Sequence, residues 1–269
     1  MKTVFITGSS SGIGKETALY FLEKGWQVVA TMRHPEKRQT DLHGRPGLDL
    51  VHLDVEDPAS IRAAVQAAAN KYPTLDVLVN NAGYSLSGLF ENATAEQVEQ
   101  QYRTNVLGLM AVTREFLPIF RKQRAGVLVN VASIGGRLTF PFYSLYNSTK
   151  WAVEGFSEGL HYELEDLNIK VKIIEPGIIL TDFYDRSMVI PKQSLASEYG
   201  PLAERFESNM RKLIRGGSHP RVIAKLIHRA ATDNSRRLRY AGGRYARFML
   251  ALRRLLPDRL LHALLKRAA

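Results

Sequence analysis

Six short runs of apolar, mostly β-branched residues recur along the chain: TVFIT, QVVAT, DLVHL, DVLVN, GVLVN and VKIIE. A weaker seventh, RLRYA, lies around Tyr240. Between them, residues 13–24, 58–71, 95–121 and 146–167 place apolar side chains three and four positions apart, the period of a helix with one buried face. A strand apolar on both faces needs cover on both sides, and strands separated by helices can run parallel. The pattern therefore predicts an α/β fold: one doubly wound parallel sheet of about seven strands with helices on both faces. No repeat or linker divides the chain. Residues 182–220 interrupt the alternation with a polar, helix-prone excursion. Its place after the sixth strand fits either a substrate loop or a surface elaboration.

The first run leads into TGSSSGIG. Gly8 allows a tight exit from the strand, while Gly12 and Gly14 let backbone approach both a ligand and the neighbouring strand. A helix starting there aims free N–H groups at an anion. In a doubly wound sheet that anion is a dinucleotide pyrophosphate. The spacing departs from GxGxxG, and a glycine-rich turn without a ligand would read the same locally. At the end of the second run, VVATMRH, Met32 stands where an acid would select NAD, and Arg33 follows. A planar guanidinium suits the 2′-phosphate of NADP. NADP(H) is therefore expected, with NAD(H) the alternative if Arg33 is only a solvated loop residue near Lys37 and Arg38. Asp54 in HLDVED can accept from an adenine amino group, or serve the helix that begins near Pro58.

Tyr146 and Lys150 stand four apart in YNSTK, on one helical face. A free phenol, with a pKa of about 10, is a poor acid–base group near neutrality. A nearby ammonium favours phenolate and would bring it into range. Tyr143 has no lysine four residues on, so Tyr146 is the candidate. Ser133, closing the fifth run, can hydrogen-bond a carbonyl oxygen. Asn105 sits mid-helix at a cost in propensity and can hold a water against Lys150. Each feature alone is common on helix surfaces and in turns; their order behind a phosphate cradle is not.

TGSSSGIG, NNAG (residues 80–83), Asn105, Ser133, YNSTK and PGIILT (residues 176–181) together resemble the short-chain dehydrogenase/reductase family, in register from residue 1 to about 181. The resemblance implies a Rossmann-type fold and a tetrad of Asn105, Ser133, Tyr146 and Lys150, with Lys150 also holding the nicotinamide ribose. It implies cofactor contacts from Gly8, Ser10, Ser11, Gly12, Ile13 and Gly14, and from Arg33, Asp54 and Val55. Asn81, Ala82 and Gly83 would border the adenosine ribose; Pro176, Ile179 and Thr181 would hold the carboxamide and a phosphate. Ser11 stands where some NADP-preferring members carry a base, which leaves cofactor choice to Arg33. The stretch 142–164 is similar to the 17β-hydroxysteroid and retinol dehydrogenase-like branch. The expected activity is interconversion of a ketone or aldehyde and its alcohol, as a carbonyl reductase using NADPH on a bulky apolar substrate. The alternatives are an NAD-dependent alcohol dehydrogenase or an idle dinucleotide-binding scaffold. Helices bearing Asn105 and Tyr146 imply a homodimer or homotetramer, with Gly155 and Gly159 forming a smooth strip; packing of that strip against the sheet is the plain alternative.

Composition changes this picture at one end. The chain has no cysteine, which excludes disulfides and thiolate sites, and no metal is expected. It opens almost directly on TVFIT, without an apolar leader, so a cytoplasmic protein is expected. From Arg205 onward, 17 basic residues face 3 acidic ones, whereas the preceding part carries 20 against 23. The net charge of +11 thus belongs to the C-terminal part, and nucleic-acid binding by the whole protein is not expected. Residues 1–243 are read as the catalytic domain and 244–269 as a basic amphipathic extension. That extension can lie on a membrane surface, close over the pocket or meet a second subunit.

Overall fold

Every apolar run forms a strand in the computed structural model, which describes residues 1–38, 40–181, 188–189, 199–200, 208–209 and 214–268. The strands are β1 (Thr3–Ile6), β2 (Gln27–Met32), β3 (Leu48–His52), β4 (Val77–Asn80), β5 (Ser85–Leu86), β6 (Gly126–Val131), β7 (Ile169–Pro176), β8 (Met188–Val189) and β9 (Arg239–Gly242). Seven make one all-parallel sheet in the order β3-β2-β1-β4-β6-β7-β9, and β5 pairs with β8 beside it. Strand order reverses between β1 and β4, the point at which such sheets open a crevice at their carboxyl ends.

The helices are α1 (Gly12–Glu23), α2 (Pro58–Lys71), α3 (Ala95–Tyr102), α4 (Leu109–Gln123), α5 (Ser144–Leu164), α6 (Arg221–Thr232), α7 (Ala246–Leu255) and α8 (Asp258–Ala268). Strand alternation sorts the core into two layers. Val4, Ile6, Val77 and Val79 face Phe21 of α1 and Ile223 and Ile227 of α6. Phe5, Leu78 and Leu128 face Ile61 of α2, Phe116 of α4 and Leu160 of α5. Phe5 and Phe116 meet edge to face at 5.0 Å. Both faces being covered explains why these runs show no polar alternation.

A buried amide ladder pins α5 to the sheet. Asn80 Nδ2 donates to Thr113 Oγ1 (2.9 Å) and Asn130 Oδ1 (3.0 Å), and Asn130 Nδ2 donates to Ser157 Oγ (2.8 Å). Each such bond contributes about 1 kcal/mol, and far more would be lost by orphaning its partner in the core.

One expectation and one alternative need correction. The stretch 95–121 is not one α-helix: α3 and α4 are joined by a π-helical segment, Arg103–Gly108, which carries Asn105. Gly155 and Gly159 do not pack on the sheet, since a Cβ at either would meet nothing within 4 Å. The expected excursion at 182–220 lies largely outside the described residues.

Candidate active site

The cradle forms where β1 passes into α1. Ser11, the residue before the helix, is extended and makes no side-chain cap, which leaves the first-turn N–H groups facing outward. Gly14 is wedged against β1: a Cβ there would overlap the Gly8 carbonyl oxygen and come within 2.5 Å of Asn81 Nδ2. Asn81 explains this closeness, for its Nδ2 donates to the carbonyls of both Thr7 and Gly8 at 3.0 Å. Its own N–H and that of Ala82 donate to Thr7 Oγ1. One side chain thereby closes the seam between β1 and β4. On the far side of the crevice, Thr181 lies against Gly12, where an added Cβ would stand 3.2 Å from its methyl.

Arg33 emerges exposed from β2, and its carbonyl accepts from the ring of His52 at 2.6 Å. The residue serving α2 is Asp57, which accepts from Ala59 N, not Asp54. Asp54 Oδ1 accepts from Glu56 N at 3.0 Å, and the residue lines the cleft. That removes the helix-terminal reading of Asp54.

Ser133 follows β6 and begins a single 3₁₀ turn, its Oγ accepting from Gly135 N at 3.0 Å. Its hydroxyl also hydrogen-bonds the Tyr146 phenol. Lys150 lies beneath, its Nζ 5.8 Å from the Tyr146 ring centre and donating to Val131 O at 2.9 Å. Asn105 gives both amide hydrogens away, to Tyr84 O (2.8 Å) and Thr149 Oγ1 (3.1 Å), while Oδ1 accepts from Tyr84 N (3.0 Å). One lone pair on Oδ1 remains. A Cβ at Gly83 would lie 3.0 Å from that oxygen and 3.9 Å from Lys150 Nζ, so glycine leaves space between them.

A sequence model of the family described as short chain dehydrogenase matches residues 2–188. The chain belongs to the short-chain dehydrogenase/reductase family. It is 35% identical over 224 residues to the 3-ketodihydrosphingosine reductase of Bacteroides thetaiotaomicron, covering 83% of this chain and 81% of that protein. Among solved structures, ElxO with NADP bound has a TM-score of 0.73 at 32% identity, covering 90% of this chain and 97% of that one. A short-chain dehydrogenase/reductase from Burkholderia phymatum in complex with NAD has a TM-score of 0.80 at 25% identity, covering 94% and 92%.

As an oxidoreductase of this family the protein uses a nicotinamide dinucleotide, and its residues fit one. Backbone fills the space a Cβ would need at Gly8 and Gly14, and the start of α1 offers unclaimed donors. Gly8, Ser10, Ser11, Gly12, Ile13, Arg33, Asp54, Val55, Asn81, Ala82, Gly83, Ser133, Tyr146, Lys150, Pro176, Ile179 and Thr181 all line one cleft. Gly14 and Asn105 stand just behind its wall.

Electrostatics differ from the simplest expectation. Burial pushes the Tyr146 phenol well above its ordinary value, opposed by the Ser133 hydrogen bond. Burial lowers Lys150 to about 8, opposed by the Glu154 carboxylate one turn on. Desolvation, and not the ammonium, therefore sets the direction of the phenol's shift. Behind Lys150 lies a charge cluster that the sequence reading missed. Glu154 is raised to about 7, by burial first and then by the charge of Glu175 on β7. Arg239 Nε donates to Glu154 (3.0 Å), its other arm donates to Glu158 (2.7 Å), and Arg137 lies 3.5 Å from Glu175. Glu154 is charged above about 7 and Lys150 below about 8, so the carboxylate supports the ammonium only in that interval.

Glu154→Gln removes this support, and Lys150 should deprotonate at lower pH. The alkaline limb of a kcat/KM profile should move down by about one unit; an unmoved limb would reduce Glu154 to packing. A carboxyl raised on folding stabilises the fold at low pH and loses that contribution as pH rises through about 7. The glutamine variant should flatten the corresponding fall in Tm.

Other cleft residues were not singled out in the sequence, although closure over the pocket was one of the three roles expected of the C-terminal extension. Arg38 adds a second guanidinium on the Arg33 side, while Tyr245, Phe248, Met249 and Leu265 bring α7 and α8 to its wall. Asn147, next to Tyr146, is buried in the lining, and neither amide atom has a hydrogen-bond partner among the described residues.

Proposed function

We propose that the protein is an NADPH-dependent carbonyl reductase acting on a bulky, largely apolar ketone or aldehyde. The observation that carries this reading is the hydrogen bond between Ser133 and Tyr146 above buried Lys150, in the lining of a cleft of about 1090 Å³. The bound cofactor supplies hydride to the carbonyl carbon. Ser133 orients the carbonyl oxygen, and the Tyr146 hydroxyl gives that oxygen its proton. Lys150 and the remaining lone pair of Asn105 hold the water through which Tyr146 is reprotonated. Leu86, Phe140, Tyr143 and Phe248 make much of the lining apolar, and the unpartnered amide of Asn147 offers a donor and an acceptor to a polar substituent. A relative named for reducing 3-ketodihydrosphingosine and a neighbour solved with NADP support this direction and cofactor. The outward strip of Leu107, Trp151, Gly155, Gly159 and Tyr162 supports a homodimer through α5.

A panel of ketones and aldehydes followed by nucleotide absorbance tests the reading, run with NADPH and NADH on the parent and Arg33→Asp. The parent should reduce bulky apolar members and prefer NADPH. The variant should lose about tenfold to a hundredfold of its NADPH affinity, the value of a charge-assisted contact, and gain relative use of NADH. Nucleotide binding without turnover of any member would favour an idle scaffold. An unchanged nucleotide ratio would withdraw the role of Arg33.

A further inference from the structure

We propose that α7 and α8 seat the protein on an anionic lipid surface at the rim of the cleft, where an amphiphilic carbonyl substrate passes between lipid and active site. The substrate clause rests on the reductase reading; the docking does not.

Phe248, Leu255, Leu260 and Leu264 are 61%, 76%, 56% and 49% exposed, an unusual density of bulky apolar side chains on two consecutive short helices. On α7, Phe248, Ala251 and Leu255 recur at three and four residues and so share a face. On α8, Leu260 and Leu264 do the same, while Leu261 is buried and anchors the helix. Basic residues bracket these faces. Residues 244–269 hold seven Lys and Arg against one Asp. Among the described residues Arg254, Arg259 and Lys266 make no ion pair, whereas Arg253 is matched to Asp258. Apolar side chains flanked by unmatched cations are the chemistry of an amphipathic helix lying in a lipid headgroup layer.

Charge discriminates among occupants. A second copy of this chain would bring two strongly basic surfaces together, while an anionic surface neutralises them. Nucleic acid would satisfy the arginines but leave the leucines in water. No described helix is long and apolar enough to cross a membrane, so the contact is peripheral. Continuity with the active site is the second, independent observation. Phe248 is largely exposed yet lines the cleft, joined there by Tyr245 and Met249 of the same segment and Leu265 of α8. The surface that would meet lipid is therefore also part of the cleft's rim.

The test is co-sedimentation of the full chain with phosphatidylcholine vesicles, with and without phosphatidylglycerol, alongside Leu255→Asp/Leu260→Asp. Neither of these leucines lines the cleft. The parent should bind the anionic vesicles, lose binding as salt is raised, and bind the zwitterionic ones poorly. The double variant should lose about tenfold or more in partitioning, with its melting temperature and its turnover of a short, water-soluble carbonyl unchanged. Absence of parental binding, equal binding to both vesicle types, or undiminished binding by the variant would each overturn the proposal. So would conversion of a parental oligomer to monomer by the variant, which would assign the face to a second copy. Binding is read without turnover, so failure of the reductase reading leaves this result interpretable.

Discussion

Tyr146→Phe is expected to lower kcat for carbonyl reduction by about 10²–10⁴-fold, the range associated with losing a positioned acid. The substitution removes one oxygen and keeps the ring, so nucleotide affinity and Tm should stay near parental values. The buried phenol's surroundings favour this direction of chemistry. Burial holds Tyr146 protonated, with Ser133 as the opposing influence, so on the proposed reductase reading the tyrosine would begin a turnover with its proton in place. In oxidation the same group would first have to ionise in a desolvated position, against the same penalty. Single-turnover rates with saturating NADPH check the prediction. A variant reducing its carbonyl as fast as the parent would remove Tyr146 from the chemistry while leaving the cradle untouched.

Gly14→Ala is expected to damage binding and folding together. Its methyl group would meet the Gly8 carbonyl and the Asn81 amide, both held by the hydrogen bonds that close the seam of β1 and β4. Backbone cannot step aside as a flexible side chain would, so overpacking should cost about 1–3 kcal/mol. The displaced start of α1 should weaken nucleotide affinity by roughly a hundredfold or more, since donors aimed at an anion act only in position. Gly155→Ala is the matched control. It lies in a helix with open space beyond it within the chain, so alanine there should gain up to about 1 kcal/mol where no second subunit covers α5, and in either case nucleotide affinity should stay parental. Thermal melts and nucleotide titration of the two variants separate crowding at the cradle from a general response to alanine. Parental binding by Gly14→Ala would refute the cradle.

The legibility of the chain was uneven for physical reasons. The sheet could be read because its strands are buried on both faces, which leaves runs such as VLVN with little to hide their identity. The expected cradle and tetrad stood out because their chemistry demands particular residues at fixed spacing, and the fold brings those residues to one cleft or just behind its wall. Electrostatics could not be read. Glu154 looks like an ordinary helical carboxylate until the fold brings Glu175 from β7 and Arg239 from β9 beside it. A signal did exist: Glu154 shares the face of Lys150, and Glu175 follows the apolar pair Ile173–Ile174 near the end of a buried strand. The expectation for Tyr146 weighed the nearby ammonium but not desolvation, which depends on how deeply α5 sits. Arg38's place at the cleft, and which side chains of α7 and α8 reach its wall, were hidden because long-range contacts, not local pattern, bring them there.

The π-helical segment has a consequence for how this chain tolerates insertion and deletion. Its wider winding accommodates an extra residue, so the portions before and after it hold angular settings that an unbroken α-helix could not reconcile. Upstream, Gln101 Nε2 donates to Tyr84 O, whereas downstream Val112, Phe116 and Phe120 must point beneath the sheet. Removing a single residue between 103 and 108 would let the coil tighten and turn one portion against the other by about 100°. Either the Asn105 amide would swing off Tyr84 or the phenylalanines would be wrung out of the interior, so this short span should be among the least forgiving of any change in length.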